Sequence, residues 1–341
     1  MNAPLMPPTG VATGIGSMPG EDFAEATRVV LGQLTGLPHL PELPARSAAA
    51  SMTGRAVAML VELGADLQPA GWRLTDAPGR DHKRARSLLA QDLDVVEELA
   101  EGYQGAFKVQ VAGPWTLAAT VERPRGDRVL ADHGARRELA QSLAEGLRAH
   151  VDDVRRRLPG AELVVQVDEP ALPAVLTGSV PTASGFSRHR SVAVPEAAET
   201  LRWVLDAVAA DAAPVVHCCA DRVPLDVLTK AGARAVSVDM ARIAQAEYDD
   251  YAGLLDRGVG LWLGVVPATD PDPVPRDSVL VGRVQRLLED LDVDPDTAGD
   301  RCVVTPVCGL AGASPRWARQ ALGLAGQVAR HVSAGDGKMT T

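Results

Sequence analysis

The sequence predicts an α/β protein built as a single-domain (β/α)8 TIM barrel. Short β-branched runs alternate with longer Ala-, Leu- and Arg-rich stretches of helical period, which is the sequence form of repeated βα units. Eight such runs can be counted, and 341 residues suit one barrel with a few long loops. No stretch carries the composition change of an interdomain linker, so residues 1–333 read as one domain and 334–341 as a frayed tail.

The predicted strands lie at Ala12–Ser17, Pro38–Leu43, Phe107–Gly113, Leu163–Glu169, Pro214–Cys219, Ala235–Asp239, Val259–Val266 and Cys302–Cys308. The first is Gly-rich and the second holds Pro38 and Pro41, so these two carry the weakest strand pattern. Helical period marks Glu21–Leu34, Ala48–Leu63, Arg84–Glu101, Arg136–Leu158 and Pro195–Ala210. A last helix has Ser314 as N-cap and Pro315 at its first position, with apolar residues recurring through Val332. Leu67–His82, Val121–His133, Pro173–Pro195 and Pro267–Asp277 read as long loops.

Composition narrows the function classes. Hydrophobic residues make up 46% and charged residues 23%, the balance of a globular protein rather than a disordered one. The formal net charge is -10, and Lys occurs only at positions 83, 108, 230 and 338. With no basic stripe, the chain is a poor partner for nucleic acid or an anionic membrane. Met1–Pro8 lacks the basic start and apolar core of a signal peptide, and no later stretch has transmembrane length, so a cytoplasmic protein is expected. In that compartment the four cysteines read as thiols, metal ligands or core residues before disulfides. The oligomeric state is left open.

In a barrel the site lies where the strands end, and the reactive groups of this chain fall there. Strand alternation sends His217 and Cys219 to one face and Cys218 to the other. With Cys308 at the end of the last strand they form an N/S/S set, to which Asp239 can add a carboxylate oxygen. Three or four such ligands with one replaceable position make the pattern of a catalytic zinc site. A plain core role for a strand His and free Cys is the competing reading, and it is the preferred one for Cys218 and Cys302.

Ile15-Gly16-Ser17, the Gly113-Pro114-Trp115-Thr116 turn, Gln166-Val167-Asp168-Glu169-Pro170-Ala171-Leu172, His217-x-Cys219 and Cys308-Gly309-Leu310 occur in this order at strand ends. In these marks the chain resembles the catalytic, C-terminal half of cobalamin-independent methionine synthase and the shorter single-barrel members of that family. The resemblance runs from the first strand to the last helix. It implies that His217, Cys219 and Cys308 bind Zn²⁺, with Asp239, in place of the family's glutamate, completing the set. It implies that Ser17 and Asp168 hold the amino-acid end of homocysteine or methionine, that Ile15 adds backbone contacts, and that Glu42 stands where the family has a substrate-binding glutamate. Asp168 also has a plain reading, as the cap of a turn before Glu169-Pro170.

The activity implied is transfer of a methyl group from a methylated folate or a corrinoid to the zinc-activated thiolate of homocysteine. Full-length members carry a histidine on the loop after the seventh strand, where this chain has Gly264–Asp270 without one; Asp270 is the candidate general acid if desolvated. Two alternatives share the metal: an alkyltransferase for another small thiol, and a non-catalytic zinc- or amino-acid-binding homologue. Uroporphyrinogen decarboxylase, of the same superfamily, binds propionates with basic residues, which this acidic mouth disfavours.

Overall fold

The computed structural model describes residues 8–293 and 302–334. The tail expected at 334–341 lies outside them, except that Ala334 ends the last helix. The centre is a six-stranded parallel sheet, β3 (Gly105–Ala112), β4 (Ala161–Asp168), β5 (Ala212–Cys218), β6 (Ala235–Asp239), β7 (Gly260–Val266) and β8 (Cys302–Pro306), paired in chain order. These runs form strands because they are buried on both faces, where β-branched side chains pack best. Helices connect them: α4 (Pro114–Thr120) and α5 (His133–Arg157) after β3, α6 (Leu172–Leu176) and α7 (Val194–Asp206) after β4, and α8 (Leu225–Ala231) after β5. Then follow α9 (Tyr248–Asp256), α10 (Asp277–Asp290) and, after β8, α11 (Pro315–Ala334). Ser314 caps α11, its Oγ accepting from Trp317 N at 3.1 Å, as its sequence predicts.

The first two expected strands are not strands. The Gly-rich segment meets β8 through a single bridge, Ala12 to Val304, and the Pro-containing segment meets β3 through His39 to Lys108. A third bridge, Ser17 to Glu42, joins the two segments to each other. Backbone bonds support these contacts, Thr13 N donating to Val304 O, Met18 N to Glu42 O and Leu40 N to Lys108 O. Glycine and proline weaken or remove ladder bonding, which is why contact survives only at points. The structure therefore shows a curled parallel sheet of six strands, its open side spanned by two irregular segments.

The first part of the chain supplies helices α1 (Phe23–Gln33), α2 (Met52–Met59) and α3 (Arg80–Leu99). The helix expected over Ala48–Leu63 is shorter, because Ser51 caps α2 by accepting from Gly54 N and leaves Ala48–Ala50 as a 3-10 turn. An antiparallel hairpin, β1 (Gly64–Gln68) with β2 (Gly71–Thr75), begins just before the loop expected at Leu67–His82 and runs into it. Gly71 permits its turn, at φ 124.

Alternation along the strands separates two apolar layers. Outward residues such as Val165, Val167, Val216, Val236 and Leu263 pack beneath the helices in the main core. Inward residues Val164, Ala213, Val215, Ala235, Trp262 and Val303 form a second cluster inside the sheet. Further along the same strands the inward positions become polar and stay buried: Lys108 and Gln110, Gln166 and Asp168, His217, Ser237 and Thr305. Dry packing holds one end of the interior, and chemistry collects at the other.

Candidate active site

The polar layer lies beneath a cavity of 340 Å³ lined by Ile15, Gly16, Ser17, Glu42, Pro44, Met52, Asp168, Pro170, His217, Cys219, Cys308 and Gly309. Seven of the nine residues expected at the site line it or form its cluster; Asp239 and Asp270 do not. Register explains part of this gathering, since Asp168 pairs with His217 and His217 with Ser237 on neighbouring strands.

The ligand atoms of His217, Cys219 and Cys308 all lie within 4.8 Å of one another, an arrangement that could hold a metal ion. His217 Nδ1 is 3.0 Å from Ser237 Oγ, which fixes the ring, while Nε2 is buried and makes no hydrogen bond. An unsatisfied buried ring nitrogen is costly unless something meets it. The two sulfurs are 3.6 Å apart. That is far beyond a disulfide bond of about 2 Å, and close to the roughly 3.8 Å spacing of two thiolates on one tetrahedral zinc. A hydrogen bond from Cys219, and then the His217 ring, hold the Cys308 thiol well below its ordinary value, while the same bond pushes Cys219 up. An imidazole and two thiols with one thiolate already favoured fit Zn²⁺ as a donor set. Cys218 and Cys302 are fully buried elsewhere, and burial pushes each thiol up to about 12. Their core reading agrees with that environment.

Asp239 is held away from this cluster. Its Oδ1 accepts from Ala241 N at 3.0 Å and its Oδ2 from Arg242 Nε at 3.2 Å, so it caps the turn after β6. The expected general acid is also occupied. Asp270 accepts from Ser314 Oγ at 2.6 Å and Ser314 N at 2.7 Å, and these bonds hold its carboxyl below the usual range. An exposed carboxylate kept ionised does not donate protons near neutral pH.

Glu42 and Asp168 both line the cavity, and both are almost fully buried. Gln110 Nε2 donates to Glu42 Oε1 at 3.0 Å and to Leu40 O at 2.7 Å; Gln166 Nε2 donates to Asp168 Oδ1 at 2.7 Å and to Ile15 O at 2.9 Å. Burial is the main reason the Asp168 carboxyl is pushed up, with the His217 ring opposing it and Glu42 adding to it. Two buried carboxylates this close to one cavity are suited to a cation. Lys108 Nζ donates to Ile15 O at 2.8 Å and Gln166 Oε1 at 2.7 Å. The Ile15 carbonyl therefore has both lone pairs taken and offers no acceptor to a ligand. Ser17 lies tight against Gly309: a Cβ added there would meet Ser17 Oγ at 2.0 Å.

Lys108, Gln110, Gln166, Ser237 and Arg55 do not emerge from the sequence as site residues. For the first four the available signal was their place, polar residues at inward positions of otherwise apolar strands; Arg55 lies on α2. Glu169 beside Asp168 has a different task. It accepts from Trp115 N, Thr116 N and Thr116 Oγ at 2.9, 2.8 and 2.7 Å, tying β4 to the start of α4, and burial pushes it up to about 7. Gly113 makes room for it, since a Cβ there would lie 2.4 Å from Glu169 Oε1.

A family model described as the catalytic domain of cobalamin-independent synthase matches residues 95–331. The chain belongs to that family. The match spans β3–β8 and includes His217, Cys219 and Cys308, so the cluster lies within the family's catalytic domain. Its members, the B12-independent methionine synthases, are methyltransferases that use homocysteine. No curated protein matches the sequence. Among solved structures, a B12-independent methionine synthase from Shewanella sp. W3-18-1, in complex with selenomethionine, superposes with a TM-score of 0.63 at 13% identity, covering 96% of this chain and 98% of that one. A Listeria monocytogenes protein assigned as a vitamin-B12-independent methionine synthase gives 0.57 at 14% identity, covering 94% and 98%. These two likenesses concern the fold. Among the described residues no helix is long and apolar enough to cross a membrane.

Proposed function

We propose that this chain transfers a methyl group from a methylated folate to homocysteine, forming methionine, with His217, Cys219 and Cys308 holding Zn²⁺. The observation that carries the reading is the buried, unpaired His217 Nε2 beside two sulfurs 3.6 Å apart, on the wall of a cavity that also presents two buried carboxylates. When bound, zinc supplies the positive charge that keeps a thiol ionised near neutral pH. The protein supplies the rest. Ser237 fixes the His217 ring, Glu42 and Asp168 take the substrate ammonium, and Ser17 is placed to bond its carboxylate. Position fixes the thiol relative to the methyl group, and holding the amino-acid end is what turns an encounter into an aligned pair.

The finer reading of the fold belongs with this one. The bridged segments around Ala12–Ser17 and Pro38–Leu43 serve as the missing two staves of an eight-membered barrel, and residues 1–333 act as one domain. A second reading, transfer of another alkyl group to a small thiol, is favoured by one observation: Asp270 is committed to Ser314. A donor whose leaving group needs no protein acid would suit such a site.

The test is metal analysis followed by an assay of zinc-loaded protein. About one zinc per chain is expected, as a single N/S/S site requires, with loss of zinc in Cys308→Ser. Homocysteine is then offered with methyltetrahydrofolate, its polyglutamates and methylcobalamin. Metal-free protein that still turns over, or Cys308→Ser with unchanged zinc, refutes the ligand assignment. Methionine binding without turnover of any donor favours the non-catalytic homologue.

A further inference from the structure

Two glutamines at paired positions of adjacent strands, Gln110 and Gln166, make the same pair of bonds: each gives one amide bond to a carbonyl of an irregular bridging segment and one to a cavity carboxylate. They differ at the other end of the amide. Gln110 Oε1 is buried with no partner, whereas Gln166 Oε1 accepts from Lys108 Nζ at 2.7 Å. An amide can turn end for end, exchanging its oxygen and its NH₂. A turned Gln166 would face Asp168 with an acceptor and Lys108 with a donor, and both contacts would become repulsive. Lysine has only donors, so its presence admits one orientation.

We infer that Lys108 is a positioning residue that locks the Gln166 amide and thereby holds the Asp168 carboxylate in place for the α-ammonium of the amino-acid substrate; this rests on the function proposed above. Its side chain is fully buried, reaches no cavity wall, and spends its bonds on Gln166 and on Ile15 O. Burying a lysine is costly, and the two contacts it makes both lead to cavity-lining residues, Ile15 directly and Asp168 through Gln166. The Ile15 contact fixes the bridging segment that carries Ser17, so one ammonium ties the carboxylate side of the cavity to the opposite wall.

The experiment is calorimetric binding of methionine, and of 4-(methylthio)butanoate, which lacks the α-amine, to zinc-loaded protein. Lys108→Met is expected to weaken methionine about tenfold, the usual scale for losing one buried charge-assisted arrangement, and to weaken the amine-free acid clearly less, since that ligand loses only what the Ile15 contact gives to Ser17. Gln166→Glu, which sets a carboxylate against Asp168 and keeps a partner for Lys108, is expected to show the same discrimination and serves if Lys108→Met does not fold. In turnover the effect falls on the KM for homocysteine more than on kcat. Equal losses for both ligands would reveal a general structural role and overturn the inference, as would undiminished methionine binding in both variants. Wild-type protein that binds neither ligand overturns the proposed function itself, and this inference with it.

Discussion

Asp92 offers a test of how the carboxylate side of the cavity is supported. It lies on α3, is 2% exposed, and accepts from Arg46 Nη1 and Nη2 at 2.8 and 2.7 Å and from Arg55 Nη1 at 2.7 Å. Arg55, on α2, is equally buried, and its other acid partner is Glu42, with Nε 3.6 Å from Oε1. Asp92→Ala removes three charge-assisted bonds and leaves Arg55 in the core with Glu42 alone. Breaking a buried pair from one side costs about 3–5 kcal/mol, because the stranded charge keeps its desolvation penalty. With about 2.1 cal/mol/K of unfolding entropy per residue, a chain of this length loses roughly 4–7 °C in Tm. Thermal unfolding of both proteins at pH 7.5 measures it. A freed Arg55 also competes for Glu42, so methionine binding should weaken in the variant at temperatures where it is fully folded. A Tm within about 1 °C of wild type would refute the claim that this network carries substantial energy. Unchanged methionine affinity would refute the link from Asp92 through Arg55 to Glu42.

Ser237→Ala frees the His217 ring without touching a ligand atom, and loss of such an orienting bond should lower zinc affinity about 10- to 100-fold; competition with a chromogenic chelator measures it, and an unchanged affinity removes Ser237 from the site. Gly309→Ala should displace Ser17, whose Oγ leaves no room for a methyl group, and weaken methionine binding while zinc content stays the same; full binding would show that Ser17 does not contact the substrate. His150 is buried, and burial, helped by Arg55, lowers its pKa to about 4 from an unfolded value of about 6.5. A lowered folded value stabilises above about pH 6.5, and that stability is lost as pH falls toward 4, up to about 3 kcal/mol. The stability difference between wild type and His150→Gln, read from urea midpoints, should therefore narrow between pH 7 and 4.5, and a difference independent of pH contradicts this.

The strands most legible in the sequence were those buried on both faces. β3 to β8 lie within two residues of their expected bounds because continuous β-branched runs have no other comfortable place. The weak pair at Ala12–Ser17 and Pro38–Leu43 kept its position and lost its ladder, for the same Gly and Pro residues that made it weak. The hairpin at Gly64–Thr75 was hidden by the Gly, Pro and charge of the stretch expected as a loop, although Trp72 and Leu74 are buried on either side of a less buried Arg73. Local chemistry explains the two misplaced aspartates. Asp239 ends β6 and Asp270 lies four residues past β7, where backbone N–H groups and polar side chains are at hand; Ala241 N and Arg242 take the first, and Ser314 N and Oγ take the second.

Adjacent acids of one motif show why spacing alone could not assign roles. Asp168 and Glu169 alternate across β4, so one enters the cavity and the other the helix layer. Asp168 is met by an amide oriented by a lysine, and nothing nearby neutralises it fully. Glu169 is met by two backbone N–H groups and a hydroxyl from α4, which give both of its oxygens a partner. The Gly113-Pro114-Trp115-Thr116 turn and the Asp168-Glu169-Pro170 strand end, read separately as marks of the family, are thus two halves of one joint. Glu169 secures the joint and frees Asp168 to face the cavity. All of Glu169's bonds go to α4, whereas Asp168 lines a cavity that Glu42 shares; under the proposed function, that cavity is where the ammonium of the amino acid is received.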